Sequence, residues 1–156
     1  MKVFSSAADL SAAIGETIGP GEPFLVDQAR IQAFADATDD HQWIHLDEER
    51  AAAGPFGARI AHGYLTLSLL PALIRGLYRL EGATMAVNYG LNKVRFPAPL
   101  PSGSTIRAQA VITEVTPVSD RIVQMVATVT ITATGPDGTP AAKPCCVAES
   151  VSRLSF

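Results

Sequence analysis

At 156 residues the chain has the length of one domain and can bury a core without covalent staples. Hydrophobic residues at 47% and charged residues at 17% exclude a disordered chain, and a net charge of −3 without a basic run leaves nucleic-acid binding no electrostatic support. The most apolar run, Tyr64 to Ile74, falls well short of the roughly twenty residues that span a bilayer, and the start of the chain lacks a signal peptide's apolar stretch, so no membrane association is expected.

Residues 5–16, with Asp9, Leu10 and Ile14, predict a short helix closed near Gly15. Gly19-Pro20-Gly21 then breaks the chain, so residues 1–20 read as an N-terminal helical extension. Phe24-Leu25-Val26 is a short apolar strand. Asp27 is placed to cap a helix from Gln28 to Ala37, whose Ile31, Phe34 and Ala35 recur at helical spacing. Thr38 to Leu46 has no period and predicts a loop dense in Asp, His and Gln, pinned to the core by Ile44. Asp47 caps a further short helix through Ala53, ended by Gly54-Pro55-Phe56-Gly57.

His62-Gly63 opens the longest helical pattern. Leu65, Leu69, Leu73 and Leu77 form one stripe and Leu67, Leu70 and Ile74 fill its flanks, which predicts a buried helix kinked at Pro71, with Arg75 and Arg79 at its C-terminal end. From residue 83 the period becomes two: Met85, Val87, Tyr89 and Leu91, then Ile106 to Ile112, then Val123 to Ile131, with Gly135-Pro136-Asp137-Gly138 as a turn and a last strand beginning at Cys145. Alternation of this kind gives a sheet with one dry and one wet face. Helices followed by strands predict an α+β fold: one hotdog domain over residues 1–156, its antiparallel sheet wrapped around a long central helix. The adjacent Cys145 and Cys146 would point to opposite faces of a strand, which argues against a mutual disulfide and for a reduced, cytoplasmic setting.

Two segments carry chemistry. In Asp39-Asp40-His41-Gln42-Trp43-Ile44-His45, a folded-back loop can bring Asp40 and His45 together as an acid/base pair. The alternative is a polar loop whose side chains only satisfy backbone groups. In Phe56-Gly57-Ala58-Arg59-Ile60-Ala61-His62-Gly63-Tyr64-Leu65, Gly63 starts the buried helix, where free N–H groups can polarise a carbonyl; the alternative is a glycine needed only for a tight helix entry. An oxyanion donor and an acid/base pair are complementary halves of proton transfer alpha to a carbonyl.

Together the two segments resemble the signature of the MaoC-like dehydratases, also called the R-specific enoyl-CoA hydratase 2 family: Asp-x-Asn-Pro-Ile-His, a short helix, then Phe-Gly-x-x-Ile-Ala-His-Gly-x-Leu. Phe56 to Leu65 matches without a gap, and Asp40, Ile44 and His45 match the first half. Gln42 and Trp43 replace its Asn-Pro, and Asp39 stands where Gly is usual. Val87 to Phe96 is similar to a subgroup related to actinobacterial R-hydratases and nodulation-type proteins. The resemblance implies a homodimeric hotdog hydro-lyase of fatty acid metabolism that reversibly hydrates trans-2-enoyl-CoA to R-3-hydroxyacyl-CoA. It implies no metal and no organic cofactor, coenzyme A being part of the acyl-CoA substrate. It also implies that Asp40 and His45 hold the attacking water while the Gly63 N–H binds the thioester oxygen. Lys93 and Arg95 are candidate contacts for the CoA phosphates, and Asn88 is a candidate for the tunnel or dimer seam.

His41 is expected to be exposed or structural, His62 to orient the loop, and Trp43 either to wall the acyl pocket or to pack on a helix. Asp39 beside Asp40 would raise one carboxylate's pKa if both were buried. Two other functions fit the same signature: a 3-hydroxyacyl-carrier-protein dehydratase, which the acidic net charge disfavours, and a non-catalytic acyl-thioester binding subunit, which retention of both Asp40 and His45 disfavours.

Overall fold

The alternating second half of the chain builds the framework. In a computed structural model describing residues 1–156, β5 (Met85–Arg95), β6 (Ser104–Ser119), β7 (Ile122–Thr134) and β8 (Cys146–Ser155) are all antiparallel to their neighbours. Two short strands, β2 (Thr17–Ile18) and β3 (Phe24–Val26), add to β6, giving six strands ordered β2-β6-β7-β8-β5 with β3 also on β6. Ile106, Ala108, Ala110 and Ile112 of β6 and Met125, Ala127, Val129 and Ile131 of β7 are buried, with polar residues such as Arg107 and Gln109 turned outward. On β8 the buried set is Cys146, Ala148, Val151 and Leu154, and the strand starts one residue after the predicted Cys145. Both thiols are free and buried.

The dry face is covered by helices from the first half. The predicted long helix is instead two: α5 (Gly63–Ser68) and α6 (Leu70–Ile74). Pro71, at the start of α6, has no N–H to donate back to Leu67, and its ring would press on that carbonyl. The chain breaks at Leu69 (φ −80°, ψ −9°), where the sequence predicts a kink at Pro71. The stripe still works across the break. Leu65, Leu69, Leu70, Leu73 and Leu77 are all buried in the main core, each contributing about 1.5–3 kcal/mol. Ala108 and Ala110 of β6 leave room for the helices.

Residues 1–20 are more than a helical extension. Between β1 (Lys2–Phe4), parallel to β4 (Tyr78–Leu80), and β2 lies α1 (Ala7–Ala12), and Phe4, Leu10 and Ile18 are part of the main core. Arg79 lies in β4, beyond the helix end predicted for it. α2 (Gln28–Thr38) has the predicted cap, Asp27 accepting from the Arg30 N–H, and α4 (Glu48–Ala52) is capped by Asp47 in the same way. Between them, the stretch predicted as loop includes one helical turn, α3 (Trp43–Leu46).

β5 departs from the predicted one-sided alternation. Two bulges, at Tyr89 and Asn92, interrupt its pairing with β8, and nearly all of its residues are exposed, Met85, Val87, Tyr89 and Leu91 among them. No helix is long and apolar enough to cross a membrane.

Candidate active site

The α2–α3 connection is forced into a sharp reversal. Asp39 ends α2 in the left-handed region (φ 59°), where glycine is usually favoured, and the chain turns there so that Asp40 faces back toward α5. The one-turn α3 then puts His45 inward. His45 is 6% exposed, whereas Ile44, predicted as the anchor, is only half-buried; the imidazole itself occupies the interior position. The Ile60 N–H donates to the Ile44 carbonyl (3.0 Å), and Gln28 Nε2 donates to the His45 carbonyl (2.8 Å). Two other elements thus hold this turn.

His45 Nδ1 donates to the Ile60 carbonyl at 2.7 Å. A carbonyl can only accept, so in the neutral imidazole the proton sits on Nδ1 and Nε2 offers a lone pair. Burial holds the His45 pKa below the ordinary histidine value. The Ile60 bond and the nearby Asp40 charge work against that shift, and His62 adds to it.

Asp40, His45 and His62 converge. One carboxylate oxygen and one nitrogen from each ring all lie within 4.8 Å of one another. Two hydrogen bonds of about 2.8 Å, meeting at a near-tetrahedral water oxygen, span about 4.6 Å. That bound admits one water between the Asp40 carboxylate and a ring nitrogen. The Asp40 side chain is half-exposed, at 51%, on the solvent side, and Asp39 is exposed too, so the mutual burial that would have coupled the two carboxylates is not met.

His62, expected to orient the loop, donates from Nε2 to the Asp40 backbone carbonyl at 3.0 Å. Its ring also stacks on His45, with centroids 3.7 Å apart and planes 24° apart, a contact that spacing along the chain could not reveal. The three ligand atoms are close enough together to hold a metal ion, although near-parallel stacked rings aim their in-plane lone pairs side by side.

Gly63 follows His62 at the first position of α5, where its N–H has no helical acceptor. It lines a cavity of about 450 Å³ together with His45, Ile60, Thr66, Phe96 and Cys145. A Cβ at Gly63 would lie 2.9–3.1 Å from three carbons of the Phe96 ring. The glycine thus makes room for Phe96, a constraint that neither reading of the sequence included.

Asn88, Lys93 and Arg95 are not brought to this cavity. Lys93 and Arg95 line a separate depression with Thr128 and Glu149, and Asn88 lines grooves between β5 and α5–α6. The strand carrying all three runs along the opposite edge of the sheet from β2. His41 is exposed and paired with Asp36 at 2.9 Å. Trp43 packs against Gly54 and under the Arg50 guanidinium (4.7 Å), the structural one of its two expected roles. Gln42 is exposed and makes no cap bond.

Comparison with known proteins gives the family. Residues 9–134 match the family model described as MaoC like domain. The chain is 50% identical over 153 residues to 3-hydroxyacyl-thioester dehydratase Z of Mycobacterium tuberculosis, covering 98% of both chains. It is 50% identical over 111 residues to nodulation protein N of Rhizobium leguminosarum bv. viciae, covering 70% of this chain and 69% of that one. The fold superposes on a MaoC-like dehydratase from Rhodospirillum rubrum with a TM-score of 0.73 at 22% identity, covering 92% of each chain. Hotdog architecture, the two sequence motifs and a family match spanning most of the chain agree: the chain belongs to the MaoC-like dehydratase family, and with it to the hydro-lyases.

Proposed function

We propose that this protein reversibly hydrates trans-2-enoyl-CoA to R-3-hydroxyacyl-CoA, with Asp40 and His45 gripping the water. The observation that carries the reading is the convergence, within 4.8 Å, of the Asp40 carboxylate and a buried imidazole that keeps Nε2 free of the Ile60 bond.

In hydration, His45 Nε2 accepts a proton from the water as its oxygen attacks C3. The Asp40 carboxylate accepts a hydrogen bond from the water's other O–H, which stays on the new hydroxyl, and steadies the imidazolium. The electron pair of the double bond moves toward the thioester oxygen, held by the Gly63 N–H. The imidazolium then returns its proton to C2. Asp40 ends as the carboxylate it began as, and the same path runs backward for dehydration. A His45 pKa lowered by burial keeps the imidazole neutral and ready to accept at neutral pH. The scheme invokes neither a metal nor an organic cofactor.

The dehydratase Z relative is named for a 3-hydroxyacyl thioester, which supports the substrate class and leaves the thiol carrier open. A net charge of −3 favours CoA over an acidic carrier protein. We further propose a homodimer in a cytoplasmic setting. β5 is exposed on both faces, with Met85, Val87, Tyr89 and Leu91 uncovered, an edge that a second copy would protect. Asn88, Lys93 and Arg95 lie on that strand, where residues of one copy can reach a CoA bound at the site of the other.

The test follows crotonyl-CoA absorbance with wild type, Asp40→Asn and His45→Ala. Each substitution is expected to lower kcat at least about a hundredfold. Folded variants that both keep wild-type turnover would remove these residues from the chemistry.

A further inference from the structure

His62 lies outside the acid/base pair yet touches both of its members. It is 3% exposed, stacked at 3.7 Å on the His45 ring and bonded at 3.0 Å to the Asp40 main chain. A tilted Phe34 ring, 5.1 Å away, borders it on α2. With Nε2 donating to Asp40, its Nδ1 is buried and has no hydrogen-bond partner. A buried polar atom left unsatisfied costs about 1–3 kcal/mol, so an apolar ring would serve stability better if filling space were the only task.

The geometry points to His62 as the positioning residue of the pair, its ring fixing the plane of the His45 imidazole and its Nε2–H fixing the Asp40 backbone, so that carboxylate and base keep their separation and orientation. This rests on the hydratase reading and adds a third residue to it. Each contact controls a different variable. Stacking sets the direction of the His45 Nε2 lone pair, which the Ile60 bond alone leaves free to swing about the Nδ1–H axis. The bond to the Asp40 carbonyl sets where that carboxylate begins, on a loop that is otherwise exposed. His62 also sits where a positive charge would oppose protonation of His45. The other ionisable groups facing His45 are Asp40, from the α2–α3 connection, and Cys145, ahead of β8 in the same cavity; burial pushes the Cys145 thiol up to about 12, so it stays uncharged. Gln28 and the Ile60 carbonyl are the uncharged polar neighbours.

Two variants separate the contacts. His62→Gln keeps a donor for the Asp40 carbonyl and loses the ring; His62→Phe keeps the stack and loses the donor. Both are checked for native fold by two-dimensional NMR, assayed with crotonyl-CoA, and the His45 titration midpoint is followed by NMR in wild type and His62→Gln. Misplacement of a reacting group on the ångström scale predicts a kcat about ten- to a hundredfold lower in each, with KM within about threefold. The His45 midpoint should move upward in His62→Gln. Folded variants with wild-type kcat and an unmoved midpoint overturn the proposal. So does a loss confined to KM, or a loss confined to thermal stability. A wild type that hydrates no enoyl thioester would defeat the proposed function, while the NMR midpoint would still decide the role of His62.

Discussion

Replacing Gly63 with alanine pits two opposing effects against each other, and the structure assigns each a size. Gly63 is not in the left-handed region, so its backbone accepts alanine, and in a helix the exchange is worth roughly 0.5–1 kcal/mol in alanine's favour. Against this, the new methyl would sit 2.9, 3.0 and 3.1 Å from three carbons of the Phe96 ring. Ordinary contact begins near 3.4 Å, so the ring must retreat by about half an ångström, and overpacking of this kind costs about 1–3 kcal/mol. The net effect is a loss of about 1 kcal/mol, which for a chain of this length lowers Tm by about 3 °C. In a Phe96→Ala background the clash is gone and only the helix gain remains, so Gly63→Ala should raise Tm by about 2 °C there. Thermal melts of wild type, both single variants and the double variant read this change of sign directly. An effect of equal sign and size in both backgrounds would show that Phe96 is not what demands a glycine at residue 63. Crotonyl-CoA turnover of the same four proteins adds a second comparison. If activity lost in Gly63→Ala returns in the double variant, the glycine serves Phe96 placement; if it does not return, the N–H beside His45 is the more sensitive feature.

Stability should fall as the solution is acidified, in part through His45. Unfolded, this histidine titrates near 6.5, and burial lowers its pKa in the fold, so between the two values the unfolded chain holds more protons and unfolding becomes easier as pH drops. His41, raised by Asp36, acts in the opposite sense; the difference between wild type and His45→Gln in urea melts at pH 7.5 and 5.0 isolates His45, and a difference that does not change between the two pH values would contradict its burial as a neutral ring. Tyr89→Glu on β5 should turn a dimer into monomers by sedimentation velocity, while a wild type that sediments as a monomer would leave that strand without its proposed cover. Burial pushes the Cys145 and Cys146 thiols up to about 12 and about 11, so neither should react with iodoacetamide at pH 8 in the native state and both should react after denaturation, which mass spectrometry would count.

Features that rest on local pattern and local caps can be read along the chain alone. Alternation over residues 104–112 and 123–131 needs only the two-residue period of a strand to define a dry face, and Asp27 and Asp47 cap their helices through neighbours three residues away. Asp40, His45 and Gly63 were legible because two motifs carry them with fixed spacing. Tertiary structure decided what depends on residues distant in the chain. The leucine stripe does not show that Pro71 would divide it at Leu69, because the stripe remains buried on either side of the break. The two bulges that turn β5 out of a simple alternation arise only in its pairing with β8, more than fifty residues away. The stacking of His62 on His45 and the place of Phe96 over Gly63 exist only once the α3 turn, the entry to α5 and the end of β5 meet, since a contact between segments with no period in common leaves no trace along the chain.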